Sequence, residues 1–258
     1  MPELPDLQVF SHNLNKRLKG KTVTDVVVRV DKKLNVAAAT LKKHLADQSI
    51  KKIYREGKEL YIVFSNDDIL ALHLMLHGNM YLFEGENTNK HTIIELWFDD
   101  NTGLTLTDWQ NAATPTLNPE VRPSPDALDK AVNVEFLKEK LQSRAAIKNL
   151  LLDQDVIRGI GNAYADEILW DARISPFAIS NKIPDARIKA LVASIHNVLT
   201  HAEEAIRKAN PDIITGEVRD FLVIHNAKKK ESPTGAEIKI KKSGSRKTYY
   251  TDEQEEFS

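Results

Sequence analysis

The second and third residues of the chain are Pro2 and Glu3, in the opening "MPELPDLQVF". A small residue at position 2 permits removal of the initiator methionine, which would leave proline's secondary amine as the terminus. An α-amino group has an unperturbed pKa of about 7.7–8.0, against about 10.4 for lysine, so an appreciable fraction is neutral and nucleophilic near pH 7. Attack of such an amine on a sugar C1′ gives an iminium, a covalent intermediate that acts as an electron sink. Glu3 beside it is suited to open the sugar ring as a general acid and to shuttle protons. Taken alone, the dipeptide is also accounted for by an ordinary processed terminus with a proline entering a helix.

A second candidate lies in "DQDVIRGIGNAYADEILWDARISP". Gly159 and Gly161 punctuate a turn between two helical patterns, and Asn162 stands where an N-cap is favoured. Backbone N–H groups at such a helix start, with an asparagine amide, make a phosphate site. By itself the turn also reads as a plain helix–helix connection. Further on, Lys228, Lys229, Lys230, Lys239, Lys241, Lys242, Arg246 and Lys247 face only Glu231 and Glu237, before an acidic tail of Asp252, Glu253, Glu255 and Glu256. Charge alone leaves this stretch as either a solvated hairpin or a wall for a polyanion.

The elements that must position these groups fall into two sets. In "PDLQVFSHNLNKRLKG" Leu7, Phe10, Leu14 and Leu18 recur at helical spacing and Gly20 sits at the expected C-terminus, so a helix begins almost at the first residue. The β-rich runs "KTVTDVVVRV", "IKKIYREGKELYIVFS", "DILALHLML", "NMYLFEG", "HTIIELWFDD" and "GLTLTDW" predict a β-sandwich or barrel behind that helix. A proline-rich, polar segment, "TPTLNPEVRPSPDALD", reads as a linker. Helical patterns follow in "VEFLKEKLQS", "AAIKNLLLDQ", "AYADEILWDA" and "DARIKALVASIHNVLTHAEEAIRKA", then a strand in "RDFLVIHN" and a short basic β-rich close.

Composition bounds the reading. With 258 residues, 41% of them hydrophobic, the chain has the length for two domains of ordinary size. The absence of cysteine excludes a disulfide framework and any thiolate metal site. No stretch approaches the roughly 18 apolar residues of a membrane span, and the start lacks a basic n-region followed by an apolar run. The expectation is a soluble intracellular protein without membrane association, nucleoid-associated if the source is bacterial. The net charge of -1 argues against a generic polyanion binder, but the basic stretch shows that net charge hides distribution.

Taken together, "MPELP", "REGK" before a strand, "HLMLHG" and above all "LLLDQDVIRGIGNAYADEILWDARISP" resemble the Fpg/Nei family of bifunctional DNA glycosylases with AP-lyase activity. The resemblance spans nearly the whole chain. It implies that the N-terminal proline is a Schiff-base nucleophile, with Pro2 and Glu3 matching the catalytic pair and Lys58 matching a lysine that holds a phosphate beside the lesion. His73, Asn162 and Arg246 match the remaining phosphate-gripping residues, all of types that donate to phosphate oxygens.

Three departures refine the expectation. Many relatives close with a Cys-x2-Cys-x16-Cys-x2-Cys zinc finger, but the corresponding positions here hold Glu231, Thr234, Thr251 and Gln254. A zincless finger is therefore expected, a β-hairpin with Arg246 at its tip and Tyr249 and Tyr250 helping to hold it. Where Fpg-type members carry an arginine and a phenylalanine that fill the gap left by an everted base, "DWQNAA" places Gln110, Asn111 and Ala112. The gap-filling group is then expected to be Met75, Leu76 and His77, with Leu76 inserted into the stack; alternation permits one of Met75 and Leu76 as plain strand core, but not easily both. Finally, only "NPDIITGEV" follows the last long helix, a short lid that leaves less to read 8-oxoguanine, and Asp6 stands where the family usually has glutamate.

The expected architecture is α+β in two domains: an N-terminal catalytic β-sandwich with its helix over 1–114, a linker over 115–133, a helix-two-turn-helix domain over 134–220, and a zincless finger hairpin with an acidic tail over 221–258. The expected activity is a base-excision DNA glycosylase and AP lyase. It would favour oxidised pyrimidines over 8-oxoguanine, act on duplex or single-stranded damaged DNA in the cleft between the domains, and work as a monomer with no metal or organic cofactor. A non-catalytic DNA-structure binder that kept the clamp is the alternative.

Overall fold

The computed structural model describes residues 1–244 and 246–258. Contacts divide the chain into two compact units, one of Met1–Val121 with Ile206–Glu217 and the other of Arg122–Ala205 with Val218–Ser258.

The first unit opens with helix α1 (Leu4–Leu18). Pro5 fits its first turn, where no intrahelical N–H is needed, and Glu3 and Asp6 form a reciprocal capping box in which the Asp6 carboxylate accepts the Glu3 N–H at 2.9 Å. Leu4, Leu7, Phe10, Leu14 and Leu18 form the buried stripe. Gly20 follows with φ of +90°, a conformation costly for residues with a Cβ.

Two four-stranded antiparallel sheets make up the rest of this unit. One has the order β1 (Val23–Val28), β6 (Thr92–Phe98), β7 (Thr102–Thr107), β5 (Asn79–Glu84); the other has β2 (Ile50–Glu56), β3 (Glu59–Phe64), β4 (Ile69–His73), β8 (Thr114–Leu117). Helix α1 packs against β2. Strand β3 is buried on both faces from Leu60 to Phe64, which is why "LYIVF" is a continuous apolar run. Two elements depart from the sequence reading. Thr114–Leu117 lies in the segment read as linker yet pairs with β4, and Pro115 is tolerated there because β8 is an edge strand. A short helix α2 (Ala38–Leu45) was not expected, since only Leu41 and Leu45 are buried along it.

In the second unit, α3 (Val134–Lys140), α4 (Ile147–Leu152), α5 (Asn162–Asp171) and the part of α6 (Asp185–Ala209) up to Ala205 enclose a core that includes Leu137, Leu151, Tyr164, Ile168, Leu191 and Leu199. The hairpin β9 (Lys239–Ser243) and β10 (Arg246–Tyr250) closes it. This is the α+β architecture expected, with its helix-two-turn-helix and C-terminal hairpin. The segment "RDFLVIHN" is not a strand. Its N–H groups at Val223, Ile224 and His225 donate instead to the Glu167 carboxylate at 3.0, 2.8 and 2.6 Å. Burial pushes the Glu167 carboxyl above its ordinary pKa, and these three N–H groups oppose that rise. No helix among the described residues is long and apolar enough to cross a membrane.

Candidate active site

Pro2 is buried and borders a concavity of about 270 Å³ whose walls include Leu76, His77, Asn79, Trp109 and Glu217. Met1 precedes it, and the Met1 ammonium forms an ion pair with the Glu217 carboxylate. Glu217 ends the segment after α6, which is fastened to the first unit at several points. The Asn13 amide of α1 donates to the carbonyls of Pro211 (2.9 Å) and Ile213 (2.8 Å), and Thr215 donates its hydroxyl to Asn79 Oδ1 at 2.9 Å. Glu3 is 5% exposed beside Pro2. Asp6 is fully buried, and its carboxylate serves the helix cap.

Strand register brings Lys58 and His73 to one sheet edge. Lys58 occupies the two-residue turn between β2 and β3 with Gly57, whose φ of +58° suits glycine. The Arg55 guanidinium donates to Gln8 of α1 (2.9 Å) and to the Gly57 carbonyl (3.1 Å), fixing that turn against α1. Glu59, next to Lys58, lies opposite His73, and His73 lies opposite Thr114. The β2–β3 turn, the end of β4 and the loop entering β8 thus share an edge. His73 Nδ1 accepts the Met75 N–H at 3.0 Å, so a neutral ring carries its proton on Nε2, a donor of the kind a phosphate needs.

Met75, Leu76 and His77 form the tight connection from β4 to β5. Met75 adopts φ of +53°, unusual for a long side chain, and the Gly78 N–H closes the turn onto the Leu74 carbonyl at 2.8 Å. Met75 is 38% and Leu76 59% exposed, so neither is strand core. The neighbouring loop at 108–113 is built around buried Asp108, whose carboxylate accepts the N–H groups of Gln110, Ala112 and Ala113 at 2.8–2.9 Å. Trp109 is 59% exposed on this loop and meets the His77 ring at a tilt, with ring centroids 5.0 Å apart. The sequence singles out Gln110, Asn111 and Ala112 in this loop, but not Trp109, Asn79 or Glu217. Their only signal in the sequence was proximity to motifs.

In the second unit, Gly161 and not Asn162 is the N-cap of α5. Asn162 is the first helical residue, and its amide donates to the Lys247 carbonyl at 3.0 Å, tying the helix start to the strand that carries Arg246. Its Oδ1 is buried without a hydrogen-bond partner. Arg246 is exposed beside the hairpin turn. Lys242 and Lys247 lie directly opposite each other, an arrangement that costs stability unless an anion is near. Asp166 anchors the hairpin from α5. Its carboxylate forms an ion pair with Lys148 Nζ at 2.7 Å through one oxygen, while the other accepts from His225 Nδ1 (2.7 Å) and the Tyr249 N–H (3.0 Å). Tyr249 packs with Ile224 and Ile238, and Tyr250 meets the Phe177 ring edge-on.

The four finger positions do not suit zinc. Glu231 pairs through its backbone with Glu237, while Thr234 and Thr251 both donate hydroxyls to Glu253. Ser232 (2.9 Å) and Trp170 Nε1 (3.2 Å) donate to the same carboxylate, and Arg173 pairs with it at 3.1 Å. Gln254 accepts the Thr251 N–H and donates to the Ile174 carbonyl. The hydroxyl of Thr234, ahead of the other donors, pulls the Glu253 pKa down to about 2. A carboxylate with converging donors thus ties the loop before β9 to the segment after β10 and to the end of α5. Among the described residues, no group of three or more His, Asp or Glu side chains is arranged to hold a metal ion.

A two-sheet unit with an N-terminal proline in its concavity, and a helix-two-turn-helix unit with a basic hairpin, define the class of two-domain DNA glycosylases with AP-lyase activity. Comparison with known proteins specifies the family. Residues 1–114 match the formamidopyrimidine-DNA glycosylase N-terminal domain and residues 124–211 its H2TH domain. The formamidopyrimidine-DNA glycosylase of Pelotomaculum thermopropionicum is 33% identical, over 97% of this chain and 97% of its own length. A crystal structure of LlFpg with a THF-DNA and an inhibitor superposes with a TM-score of 0.89 at 26% identity, covering 99% of this chain and all of that one. The Lactococcus lactis enzyme with an oxidised-pyrimidine DNA gives 0.86 at 27%, covering 97% and 98%. The chain belongs to the formamidopyrimidine-DNA glycosylase family.

Proposed function

We propose that this base-excision glycosylase removes oxidised pyrimidines in preference to 8-oxoguanine and opens abasic sites through a Schiff base on Pro2. The observation that carries the reading is Pro2 itself, at the wall of a concavity it shares with Leu76, His77 and Glu217. Once Met1 is removed, the free amine attacks C1′; the C1′–base bond breaks, and the base leaves with a proton. Opening of the sugar ring, assisted by Glu3, gives the iminium. Loss of a C2′ proton expels the 3′ phosphate, and a second elimination expels the 5′ phosphate, leaving a one-nucleotide gap. Lys58, His73, Asn162 and Arg246 hold backbone phosphates, which position the strand without reading its sequence. Leu76, flanked by Met75 and His77, fills the vacated step.

The substrate preference is supported by Gln110, Asn111 and Ala112 standing where an arginine and a phenylalanine would contact the opposite strand, and by the short segment over 210–218.

The test is borohydride trapping. Methionine-processed protein incubated with an abasic oligonucleotide should give a covalent adduct mapping to Pro2, lost in Pro2→Gly. DNA binding without any adduct would reduce the protein to a DNA-structure binder. Fastest excision of 8-oxoguanine opposite cytosine would overturn the substrate preference.

A further inference from the structure

We propose that Trp109 is a stacking platform for an unpaired nucleobase next to the reacting nucleotide, a role that rests on the DNA-lyase reading above. Tryptophan is highly buried on average, yet this indole is 59% exposed. The loop that carries it is rigid. Asp108 is 1% exposed with three backbone N–H groups on its carboxylate, and its own N–H donates to the His91 carbonyl at 2.9 Å. His77 backs the indole at 5.0 Å and 44°. With the backbone of its loop fixed in this way, the indole leaves little loop entropy still to be lost on binding a flat ligand.

The indole also lines two concavities, which share His77 and Asn79. One is the space bordered by Pro2; the other is a trough of about 240 Å³ that includes Tyr81, Asn89, Lys90 and His91. Tyr81 is itself 37% exposed. The trough therefore combines an aromatic wall, amide and imidazole groups suited to a base edge, and one cation suited to a phosphate. Stacking on an aromatic ring is tolerant of base identity because every base has a π face. Gln110, Asn111 and Ala112, in the same loop, offer no ring of their own. The stacking surface of this loop is thus Trp109, and it fits a strand whose neighbouring base is unpaired: single-stranded DNA or a locally opened duplex.

The experiment measures fluorescence anisotropy of single-stranded and duplex oligonucleotides carrying a tetrahydrofuran abasic analogue, with wild type, Trp109→Ala and Trp109→Phe, and melting curves to check folding. Loss of one base–aromatic stack predicts roughly ten- to hundred-fold weaker binding for Trp109→Ala, most of it recovered by Trp109→Phe. Replacing the flanking bases of the oligonucleotide with further abasic analogues should erase the difference between wild type and Trp109→Ala. Binding by Trp109→Ala within about twofold of wild type, or a deficit that survives removal of the flanking bases, would overturn the platform. Borohydride trapping by wild type runs alongside. Its failure would strike the catalytic reading, whereas a wild type that traps beside an unimpaired Trp109→Ala would strike the platform alone.

Discussion

Replacing Asp166 by alanine should be among the most damaging single changes in the second unit. The carboxylate is 1% exposed and gathers donors from three places: Lys148 on α4, His225 in the segment after α6, and the backbone of Tyr249 on β10. Lys148 is only 6% exposed, and the Thr248 hydroxyl to which it donates at 2.8 Å brings no charge. Truncating one member of a buried ion pair costs about 3–5 kcal/mol because the other charge stays buried, and an orphaned N–H adds about 1–3 kcal/mol. Because the two losses share one cavity they do not simply add, so about 4 kcal/mol is expected. At about 2–4 °C per kcal/mol for a chain of this size, the transition of the second unit should fall by roughly 8–16 °C.

Calorimetry would measure the shift, and hydrogen exchange at Lys247–Tyr250 would assign it to the hairpin. A second substitution sharpens the reasoning. Lys148→Met in the Asp166→Ala background removes the buried ammonium, and apolar replacement of a buried pair is often neutral, so the double variant should regain at least half of the loss. A single variant that melts within about 2 °C of wild type would refute the argument, because it would mean that the ion pair contributes less than about 1 kcal/mol. A double variant less stable than Asp166→Ala would refute it as well.

Three further outcomes follow from the same geometry. Glu253 has a folded pKa of about 2 against an ordinary 4.5, so the stability it confers is present above about pH 4.5 and lost as pH falls through about 2; acid titration of hairpin amide exchange should show that loss, and Glu253→Gln should flatten it. Gly78→Ala should open the β4–β5 turn, because the new Cβ would lie 2.2 Å from the Leu74 carbonyl oxygen; a stability loss of about 1–3 kcal/mol in denaturant titration is expected, with weaker DNA binding. Lys242→Gln relieves the repulsion opposite Lys247, so the free protein should melt slightly higher while the salt dependence of DNA binding, as a log–log slope, loses about one unit.

What was legible in the sequence was periodic or local. The stripe Leu7, Phe10, Leu14, Leu18 sets α1, and the β-rich runs set most strands, because burial on one face leaves a spacing that can be read directly. The misreadings are the places where a tertiary partner decided. "FLVI" at 221–224 has strand-like residues, but Glu167 takes the N–H groups a ladder would need. Asn162 has the right type for a cap, yet its amide is committed to Lys247 and Gly161 takes the cap. Trp109 was invisible because exposure is a property of the fold; an indole in "DWQNAA" looks the same whether it faces the core or the solvent.

The arrangement of the site is likewise a matter of register rather than of motif. Lys58 and His73 belong to separate motifs, and nothing in either one says that they lie at the same edge. They do so because the turn at Gly57 and Lys58 sets Glu56 opposite Glu59, which in turn fixes Glu59 opposite His73 and His73 opposite Thr114. A slip of one residue in β3 would move its side chains to the other face of the sheet. The buried run from Leu60 to Phe64 supplies little alternation with which to resist such a slip. Resistance has to come from the turn, where Arg55 pins the Gly57 carbonyl to Gln8 of α1. The helix that follows Pro2 therefore also holds the register that sets Glu59, next to Lys58, opposite His73, and a change at Arg55 should disturb both.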